Sequence, residues 1–283
     1  MVNEVDFYLE DLKSKFKKIN PKEYFLSYSG GKDSHFLYWF IKEYAPEFSN
    51  IEVVGVNTYM EHHEILKRIL KNCDKVLLPK MKPMQIKEKY GIPCFSKFQD
   101  EMISRYQNGS RTKNTMDAIT GEGRITFKLN KKARDLTLSG KLHKVSNKCC
   151  KVIKKDTMKA YQKETGKKVI LGVRSSESSL RKSQYKSCFT KDKKFTPIHD
   201  LSDKLLEKII EKYNIEVPKV YKHINRTGCM GCPYGSKSGN TEKELSLIND
   251  NQKKFVCEYF RESYDVLGIN TKAFNQTTID DYL

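Results

Sequence analysis

Apolar residues along the chain fall into short runs and into helical stripes, and the two kinds alternate. Short β-branched or aromatic runs predict four strands: Tyr24–Tyr28, Ile51–Val56, Lys75–Leu78 and Lys168–Val173. Between the first three strands, apolar side chains recur at helical spacing in two segments: His35–Tyr44 and Glu61–Leu70. Strands that alternate with helices in this way predict an α/β fold with a doubly wound parallel sheet.

The middle and the end of the chain carry helical signals. Residues 96–148 are polar and basic with little periodicity, and a structureless loop of that length is improbable in a compact domain. We therefore expect one or two helices in this insertion, which could also form a mobile lid. Ser202 predicts the N-cap of a later helix, and Thr241–Glu244 has the form of a capping box before another. The helix after that box is expected to bury five side chains: Leu245, Ile248, Phe255, Val256 and Tyr259.

Composition narrows the class of protein. Of the 283 residues 38% are apolar, and no stretch reaches the roughly 18 uncharged residues that would span a membrane. The N-terminus is acidic and amphipathic, so we expect no signal peptide, no membrane partner and a cytoplasmic location. The formal charge of +18 favours a polyanionic partner, a nucleic acid or a nucleotide, although an AT-rich genome predicts the same excess of lysine.

The sequence YSGGKDSH occupies residues 28–35, between the first predicted strand and the first predicted helix. Backbone N–H groups, hydroxyls and a lysine at the start of a helix form a site where an anion can bind. The P-loop of kinases and GTPases is disfavoured, because Leu26 stands where its first glycine is required and Lys32 is followed by Asp33. A tight turn that merely contains a lysine is the alternative, which the complete SGGKDS hexapeptide disfavours.

Four of the eight cysteines form a pattern. Cys149 and Cys150 are adjacent, and Cys229 and Cys232 form a Cys-x-x-Cys pair flanked by glycine and proline. Four thiolates suffice for one metal centre, and this spacing favours an iron–sulfur cluster over zinc, which stays open as an alternative. The other cysteines are expected to be small buried apolar residues: Cys73, Cys94, Cys188 and Cys257.

The histidines are given no functional role. Glu61-His62-His63 has the composition of a metal site, but neighbouring helical side chains point about 100° apart, so we interpret it as a solvated helix start. His143, His199 and His223 lack partners at the spacing of metal ligands.

The hexapeptide SGGKDS resembles the PP-loop of the adenine nucleotide alpha hydrolase superfamily, the ATP pyrophosphatases. This resemblance implies a Rossmann-like fold and an enzyme that binds an adenine nucleotide, since most members cleave ATP between the α- and β-phosphates to adenylate a substrate. It implies that six residues bind the nucleotide: Ser29, Gly30, Gly31, Lys32, Asp33 and Ser34. Lys32 is the expected catalytic cation, because it would stabilise charge on the leaving pyrophosphate. Mg²⁺ is an open candidate beside the phosphates.

Three later segments are similar to successive motifs of the phosphoadenylylsulfate (PAPS) reductase family: Lys148–Lys151, Gly172–Arg181 and Arg226–Pro233. One branch of that family holds a [4Fe-4S] cluster beside the nucleotide, so the resemblance implies that the two cysteine pairs bind such a cluster. It further implies that Arg174 and Arg181 act in catalysis by binding the sulfate or phosphates of the nucleotide, and that Gly172 belongs to the nucleotide site.

The sequence departs from this family in three places. Sulfonucleotide reductases carry a nucleophilic cysteine in a C-terminal Glu-Cys-Gly-x-His segment, whereas this chain ends in NQTTIDDYL and its Cys257 lies on a predicted apolar helix. Asn57-Thr58-Tyr59 replaces the usual Asp-Thr-Gly after the second strand, where we expect Asn57 to contact adenine or ribose. The basic insertion at 96–148 resembles members of the family from bacteriophages and mobile elements.

Three hypotheses follow, for a PP-loop domain at residues 1–240 and a helical extension at 241–283. The leading hypothesis is an enzyme that uses ATP or a related nucleotide and a [4Fe-4S] cluster to transfer sulfur from an unidentified donor, with a nucleic acid as the expected acceptor. The second is a PAPS or APS reductase that takes a thiol from a partner such as a thioredoxin-like protein. The third is a zinc-stabilised nucleic-acid-binding protein without catalysis.

Overall fold

The structure is a computed structural model that describes residues 3–122, 128–177, 179–224 and 227–271. Its internal contacts divide the chain into two compact units. The first, the sheet unit, comprises Met1–Asn57, His63–Leu78 and Thr157–Tyr221. The second, the cysteine unit, comprises Thr58–His62, Pro79–Asp156 and Lys222–Leu283. A domain boundary at residue 240 stays a prediction.

Four parallel strands form the sheet of the sheet unit: β1 Tyr24–Tyr28, β2 Glu52–Val56, β3 Lys75–Leu77 and β4 Lys168–Leu171. Their order is β3-β2-β1-β4, so the chain runs outward from β1 on one side and then returns to its other side. In register, Phe25 pairs with Glu52 on β2 and with Val169 on β4. All four predicted strands are confirmed, and the change of direction at β1 confirms the doubly wound α/β fold.

Helices occupy most of the remaining described residues. In chain order they are α1 Glu4–Phe16, α2 Lys32–Trp39, α3 His63–Asn72, α4 Pro83–Tyr90, α5 Lys97–Gln107, α6 Lys113–Thr120, α7 Lys131–Leu138, α8 Asp156–Thr165, α9 Ser179–Gln184, α10 Asp203–Lys212, α11 Asn240–Leu247, α12 Asp250–Tyr259 and α13 Arg261–Leu267. Five-residue π-helical turns follow α2, at Phe40–Tyr44, and precede α8, at Lys151–Lys155. None of these helices is both long and apolar enough to cross a membrane.

Apolar side chains cover both faces of β1, as expected for a central parallel strand. Phe25 packs against Val54, Tyr161 and Val169. Tyr24, which points to the opposite face, contacts the ring of Phe195 at 6.2 Å between centroids. Burial of each such aromatic side chain stabilises the unit by about 1.5–3 kcal/mol. The strand that carries the YSGGKDSH loop is therefore held rigidly from both sides.

Two predicted helix starts are shifted. Helix α2 begins at Lys32 rather than at residue 35, because Gly31 has extended backbone angles (φ −79°, ψ 169°) and serves as its N-cap. Helix α3 begins at His63 rather than at residue 61, because the Glu61 carboxylate accepts a hydrogen bond from the Thr58 N–H at 3.0 Å and closes a turn of its own. Local backbone geometry and a local hydrogen bond, rather than the apolar stripe, set these two boundaries.

The predicted caps of the later helices have different outcomes. Ser202 is the N-cap of α10 and accepts a hydrogen bond from the Leu205 N–H at 3.2 Å, as predicted. The capping box at Thr241–Glu244 is wrong, since α11 begins after Gly239, whose φ is +67°. The Thr241 hydroxyl instead donates to the Cys232 carbonyl at 2.9 Å.

The insertion and the C-terminal extension are both helical within the described residues. The insertion contains α5, α6 and α7, one helix more than expected, around a core that includes Ile103, Ile119 and Ala133. Of its residues, 123–127 lie outside those that the structure describes. The five apolar residues predicted for one C-terminal helix are divided between α11, α12 and the turn between them, and all except the half-buried Phe255 are buried. Residues 272–283 of the extension also lie outside the described residues.

The imidazole of His35 predicts a pH dependence of stability. His35 lies on α2, with Nδ1 2.9 Å from Tyr28 Oη and its ring stacked on Tyr38. Burial, reinforced by the charges of Arg68 and Lys71, lowers the pKa of His35 from its ordinary 6.5 to about 3. The unfolded chain therefore binds more protons between these two values, so this stabilisation is complete above pH 6.5 and decreases as the pH falls toward 3. At pH 5 the expected loss from this group is about 2 kcal/mol.

Urea unfolding at pH 8 and pH 5 measures this loss. The matched variant is His35→Gln, which keeps a hydrogen-bonding group beside Tyr28 but does not titrate. Between pH 8 and pH 5, the free energy of unfolding of this variant should decrease by about 2 kcal/mol less than that of the wild type. Equal losses in both proteins would show that His35 does not carry the effect.

Candidate functional site

Gly30 lets the loop after β1 turn back against α3. Its φ of +73° lies in the left-handed region, and a Cβ on this residue would lie 2.9 Å from the backbone oxygen and from Cγ2 of Ile65. Two serines close the turn: Ser34 Oγ accepts from the Ser29 N–H at 3.2 Å and lies 3.0 Å from Ser29 Oγ. The Ser34 hydroxyl also lies 3.1 Å from the Gly31 carbonyl oxygen, to which it donates. The loop is therefore fixed by its own side chains.

Lys32 places positive charge at this loop. It is the first residue of α2, and its N–H donates to Tyr221 Oη at 3.1 Å. Its ammonium nitrogen lies 6.0 Å from the centroid of the Tyr221 ring. The N-terminal end of a helix carries a partial positive charge, which adds to that of the ammonium group. This combination suits an anion with several negative charges, as the resemblance to the PP-loop implies.

Gly172 allows β4 to approach the same loop closely. A Cβ on Gly172 would lie 3.0 Å from the Ser34 nitrogen and 3.1 Å from the Asp33 carbonyl oxygen. Both contacts would be with backbone atoms, which cannot rotate away as a flexible side chain would. The structure thus gives Gly172 a packing role against the loop, and its contact with a nucleotide stays a prediction.

Arg174 braces the loop from within the sheet unit. Its side chain is only 4% exposed, its Nε lies 2.6 Å from Asp33 Oδ1 and its Nη1 lies 2.6 Å from Asp203 Oδ1. Burial by itself lowers the pKa of Arg174, but the two carboxylates outweigh it and raise the pKa above its ordinary value. The guanidinium therefore ties the loop to the first residue of α10. Direct binding of a nucleotide by Arg174 stays a prediction.

Asn57 and Arg181 complete the predicted nucleotide residues. Asn57 follows β2, at the carboxyl edge of the sheet where the loop after β1 also begins, and its N–H donates to the Leu77 carbonyl at 3.0 Å. Arg181 lies half-buried on α9. Their contacts with a nucleotide stay predictions. Two residues of the similar motifs, Ser178 and Arg226, lie outside the described residues.

The cysteine unit contains all four paired cysteines. Cys149 and Cys150 directly precede the π-helical turn at Lys151–Lys155. Cys229 and Cys232 lie on a tight turn, in which the Cys232 N–H donates to the Cys229 carbonyl at 3.2 Å. Gly231 permits this turn, because its φ is +58° and a Cβ there would lie 2.5 Å from neighbouring side-chain atoms. The glycine between the cysteines is therefore required by the backbone.

The four thiols act on one another electrostatically. The hydrogen bond with Cys150 and then burial raise the pKa of Cys149, with smaller contributions from Cys229 and Cys232. The same hydrogen bond lowers the pKa of Cys150 to about 6, and three lysines that include Lys154 add to this effect. Burial raises the pKa of Cys229 and Cys232. The thiols of the two pairs thus influence one another within one unit, and their role as metal ligands stays a prediction.

Zinc and an iron–sulfur cluster make different demands on the spacing of four thiols. Among the described residues, no group of three or more His, Cys, Asp and Glu side chains is arranged to hold a metal ion. A tetrahedral zinc ion, with Zn–S bonds of about 2.3 Å, requires four sulfurs within about 4 Å of one another. An iron–sulfur cluster binds each cysteine through a separate iron, so its ligands are further apart. The choice between a cluster and zinc therefore stays a prediction, which rests on the spacing of the cysteines in the sequence.

Sequence reasoning missed a set of buried polar side chains in the cysteine unit. Glu61 is 7% exposed, accepts from the hydroxyl of Thr58, and lies 3.9 Å from the ammonium nitrogen of Lys154. Glu244 accepts from a backbone N–H of the Cys-x-x-Cys turn at 3.0 Å and lies 3.9 Å from His62 Nε2. The interpretation of Glu61-His62-His63 as a solvated helix start is wrong for its first two residues, which are buried. No sequence spacing marks Glu244 as a neighbour of His62.

The sheet and its loop define a PP-loop protein with a Rossmann-like fold. Residues 78–234 match the family model of the phosphoadenosine phosphosulfate reductase domain, and this range includes Arg174 and both cysteine pairs. Because the match covers more than half of the chain, the protein belongs to the PAPS reductase family. The loop at residues 28–35 precedes the matched range. No curated protein matches the chain.

The solved structures that are similar to the chain include a reductase, a synthetase and a thiolase. The PAPS reductase of Candida auris in a phosphate complex has a TM-score of 0.37 and 10% identity, over 78% of this chain and 92% of that one. The NH3-dependent NAD synthetase of Campylobacter jejuni, in complex with nitrate, has a TM-score of 0.37 and 14% identity, over 97% and 95%. The U34-tRNA thiolase NcsA of Methanococcus maripaludis, with its [4Fe-4S] cluster, has a TM-score of 0.41 and 13% identity, over 98% and 83%. At these TM-scores the similarities carry no argument about activity.

Proposed function

We propose that the protein is a cytoplasmic enzyme that activates an acceptor with ATP and then transfers sulfur to it. The observation that carries this proposal is the braced loop after β1. It combines the hydroxyls of Ser29 and Ser34, the ammonium of Lys32 and the start of α2. Such a set of donors suits the polyphosphate of an adenine nucleotide.

The proposed reaction has two displacements. An acceptor oxygen attacks the α-phosphorus of ATP, the bond from that phosphorus to its bridging oxygen breaks, and pyrophosphate leaves with the electron pair. Lys32 and the N–H groups of the loop stabilise the charge that develops on pyrophosphate. Sulfide-level sulfur from a donor then attacks the activated carbon of the acceptor, a C–S bond replaces the C–O bond, and AMP leaves. No external reductant is consumed.

Arg174 and Arg181 have different roles in this proposal. Arg174 is paired with two carboxylates, so it acts by holding the loop in shape. Arg181 is the residue that we assign to the nucleotide's anionic groups, on the basis of its place in the family motif. A guanidinium group is suited to this role because it can donate two parallel hydrogen bonds to phosphate oxygens.

The two cysteine pairs would hold a [4Fe-4S] cluster. Both pairs lie within the range that matches the family, and their thiols are the donor type that such clusters use. When bound, the cluster supplies a redox-active centre that can interact with sulfur. Glu61 and Lys154 lie 3.9 Å apart in the same unit and supply opposite charges near the thiols.

A nucleic acid is the proposed acceptor. The formal charge of +18 favours a polyanionic partner, and we assign its binding to the insertion at 96–148, which carries twelve Lys and Arg against five Asp and Glu. Binding through lysine and phosphate would weaken steeply as salt is added.

A sulfonucleotide reductase is the second candidate, and membership of the PAPS reductase family favours it. Such an enzyme would need a thiol from outside the chain. Cys257 is the last cysteine in the sequence, and burial raises the pKa of its thiol, which lowers its reactivity. A thioredoxin-like partner would then supply the nucleophile.

Anaerobic activity assays distinguish the two candidates. The purified protein is incubated with ATP, total RNA or DNA and a sulfide donor, and separately with PAPS or APS and reduced thioredoxin. Release of pyrophosphate that depends on the nucleic acid is expected from the first mixture. Release of sulfite from the second mixture, without pyrophosphate from the first, would replace the proposed function by the reductase.

A further inference from the structure

The hydroxyl of Tyr259 is a buried polar group that has no hydrogen-bond partner in the described structure. Tyr259 is the last residue of α12, its side chain is 2% exposed, and its Oη is unpaired. A buried polar atom without a partner is unfavourable, and its presence in a native protein commonly marks an unseen ion, water or ligand. Tyr259 Oη therefore indicates that something polar belongs beside it.

The packing around Tyr259 fixes the direction of this hydroxyl. Its ring meets that of Phe260 edge-on, with centroids 4.7 Å apart, and stacks on Phe255 at 6.0 Å. Its backbone carbonyl accepts a hydrogen bond from Lys87 Nζ at 2.9 Å. The unpaired state of the hydroxyl is thus a property of a well-packed residue, since the ring cannot turn to another acceptor without losing these contacts.

A paired cysteine contacts the apolar cluster that contains Tyr259. Tyr259 belongs to an apolar cluster against which Cys229 packs. Burial raises the pKa of Tyr259, and the charges that add to this effect are those of Cys149, Cys229, Cys232 and Cys150. A phenol hydroxyl is a good hydrogen-bond donor, and a thiolate or sulfide is an acceptor.

We propose that Tyr259 donates a hydrogen bond to sulfur of the cofactor that the four cysteines hold, either a ligating thiolate or an inorganic sulfide. This inference rests on the proposed cluster. Hydrogen bonds to the sulfurs of an iron–sulfur centre shift its reduction potential, and partners outside the ligand set orient the ligands. Tyr259 is a positioning residue in this sense. It lies beyond residues 78–234, so the helical extension contributes it and the part of the chain that matches the family does not.

Two other tyrosines of the cysteine unit, the buried Tyr264 and the half-buried Tyr234, differ from Tyr259. The hydroxyl of Tyr264 donates to the Gly231 carbonyl, so it is already satisfied. The hydroxyl of Tyr234 interacts with the carboxylate of Asp100, the charged group that acts on it most strongly. Tyr259 is the one of the three whose hydroxyl is unpaired and whose charged neighbours are the thiols.

The variant Tyr259→Phe, which removes only the hydroxyl, tests the proposal in two states of the full chain. In iron-free protein the variant should melt a few degrees higher than wild type, because it no longer buries an unpaired polar atom. After anaerobic reconstitution the variant should have a more negative reduction potential and lose iron to a chelator several-fold faster. The control is Tyr161→Phe, which removes a hydroxyl bonded to Glu52 in the sheet unit and should leave both cluster properties unchanged.

The outcomes separate this inference from the proposed function. If wild type retains iron and sulfide but Tyr259→Phe has the same potential and the same rate of iron loss, the hydrogen bond is refuted and the cluster stands. A lower melting temperature of the iron-free variant would also refute it, since it would mean that the hydroxyl already has a partner. If wild type retains no iron, the proposed cluster fails, and this inference fails with it.

Discussion

Replacement of Lys32 by alanine is expected to reduce ATP-dependent pyrophosphate release by about 100-fold or more, the usual effect of removing one preorganised donor from a developing negative charge. Lys32 begins α2, and its backbone N–H is held by the Tyr221 hydroxyl, so the truncated residue keeps its place in the loop. The variant should therefore fold normally and lose the ammonium group alone. Steady-state assays of pyrophosphate release over a range of ATP concentrations would measure the effect on kcat and on KM separately.

A matched variant controls for the loss of charge. Lys22→Ala removes one positive charge from an exposed position in the turn before β1 and should leave kcat within about twofold of wild type. Equal activities of wild type and Lys32→Ala would show that the charge of Lys32 in the loop does not contribute to the reaction. Equal losses in both variants would mean that net charge, and no specific contact, governs the rate.

Replacement of Cys149 by serine is expected to abolish the iron–sulfur cluster. A cluster of this kind needs four thiolates, and a serine hydroxyl is a much harder and less acidic ligand. Wild-type protein reconstituted without oxygen should be brown and contain about four irons and four sulfides per chain. Cys149→Ser should contain less than about one iron and lose the visible absorbance.

The control for this prediction is Cys257→Ser. Cys257 is half-buried in the same cysteine unit and packs against the apolar cluster that contains Tyr259, but it belongs to neither cysteine pair. This variant should retain its iron and sulfide. Iron in Cys149→Ser at the wild-type level would overturn the assignment of the ligands, and one zinc per chain in wild type would support the third hypothesis instead.

The sheet could be predicted from the sequence because its strands are short, apolar and well separated. A strand of a parallel sheet is buried on both faces, so its sequence is a nearly continuous apolar run. The run at Ile51–Val56 has this pattern and therefore predicted β2. Helix starts were predicted less accurately, because they depend on local acceptors that apolar periodicity does not reveal. The Glu61 carboxylate illustrates this, since it forms its own turn with Thr58 ahead of α3.

The candidate site was only partly visible in the sequence. The SGGKDS loop and the cysteine pairs are local patterns, so the order of residues along the chain is enough to identify them. The pairing of Arg174 with Asp33 and Asp203 joins residues far apart in the chain, and no spacing rule connects them. The same holds for Glu244 and Tyr259, whose places in the cysteine unit follow from how the C-terminal helices pack.

The ion pairs of the buried Arg174 have a consequence for how a nucleotide would bind. Because Arg174 joins Asp33 to Asp203 and the loop serines bond to each other, the protein's own contacts hold the loop in one shape. Association then requires little loss of conformational entropy in the protein. The nucleotide would bind to a preorganised loop. The affinity for the nucleotide would then depend on the charges of the loop residues and not on the ordering of a disordered segment.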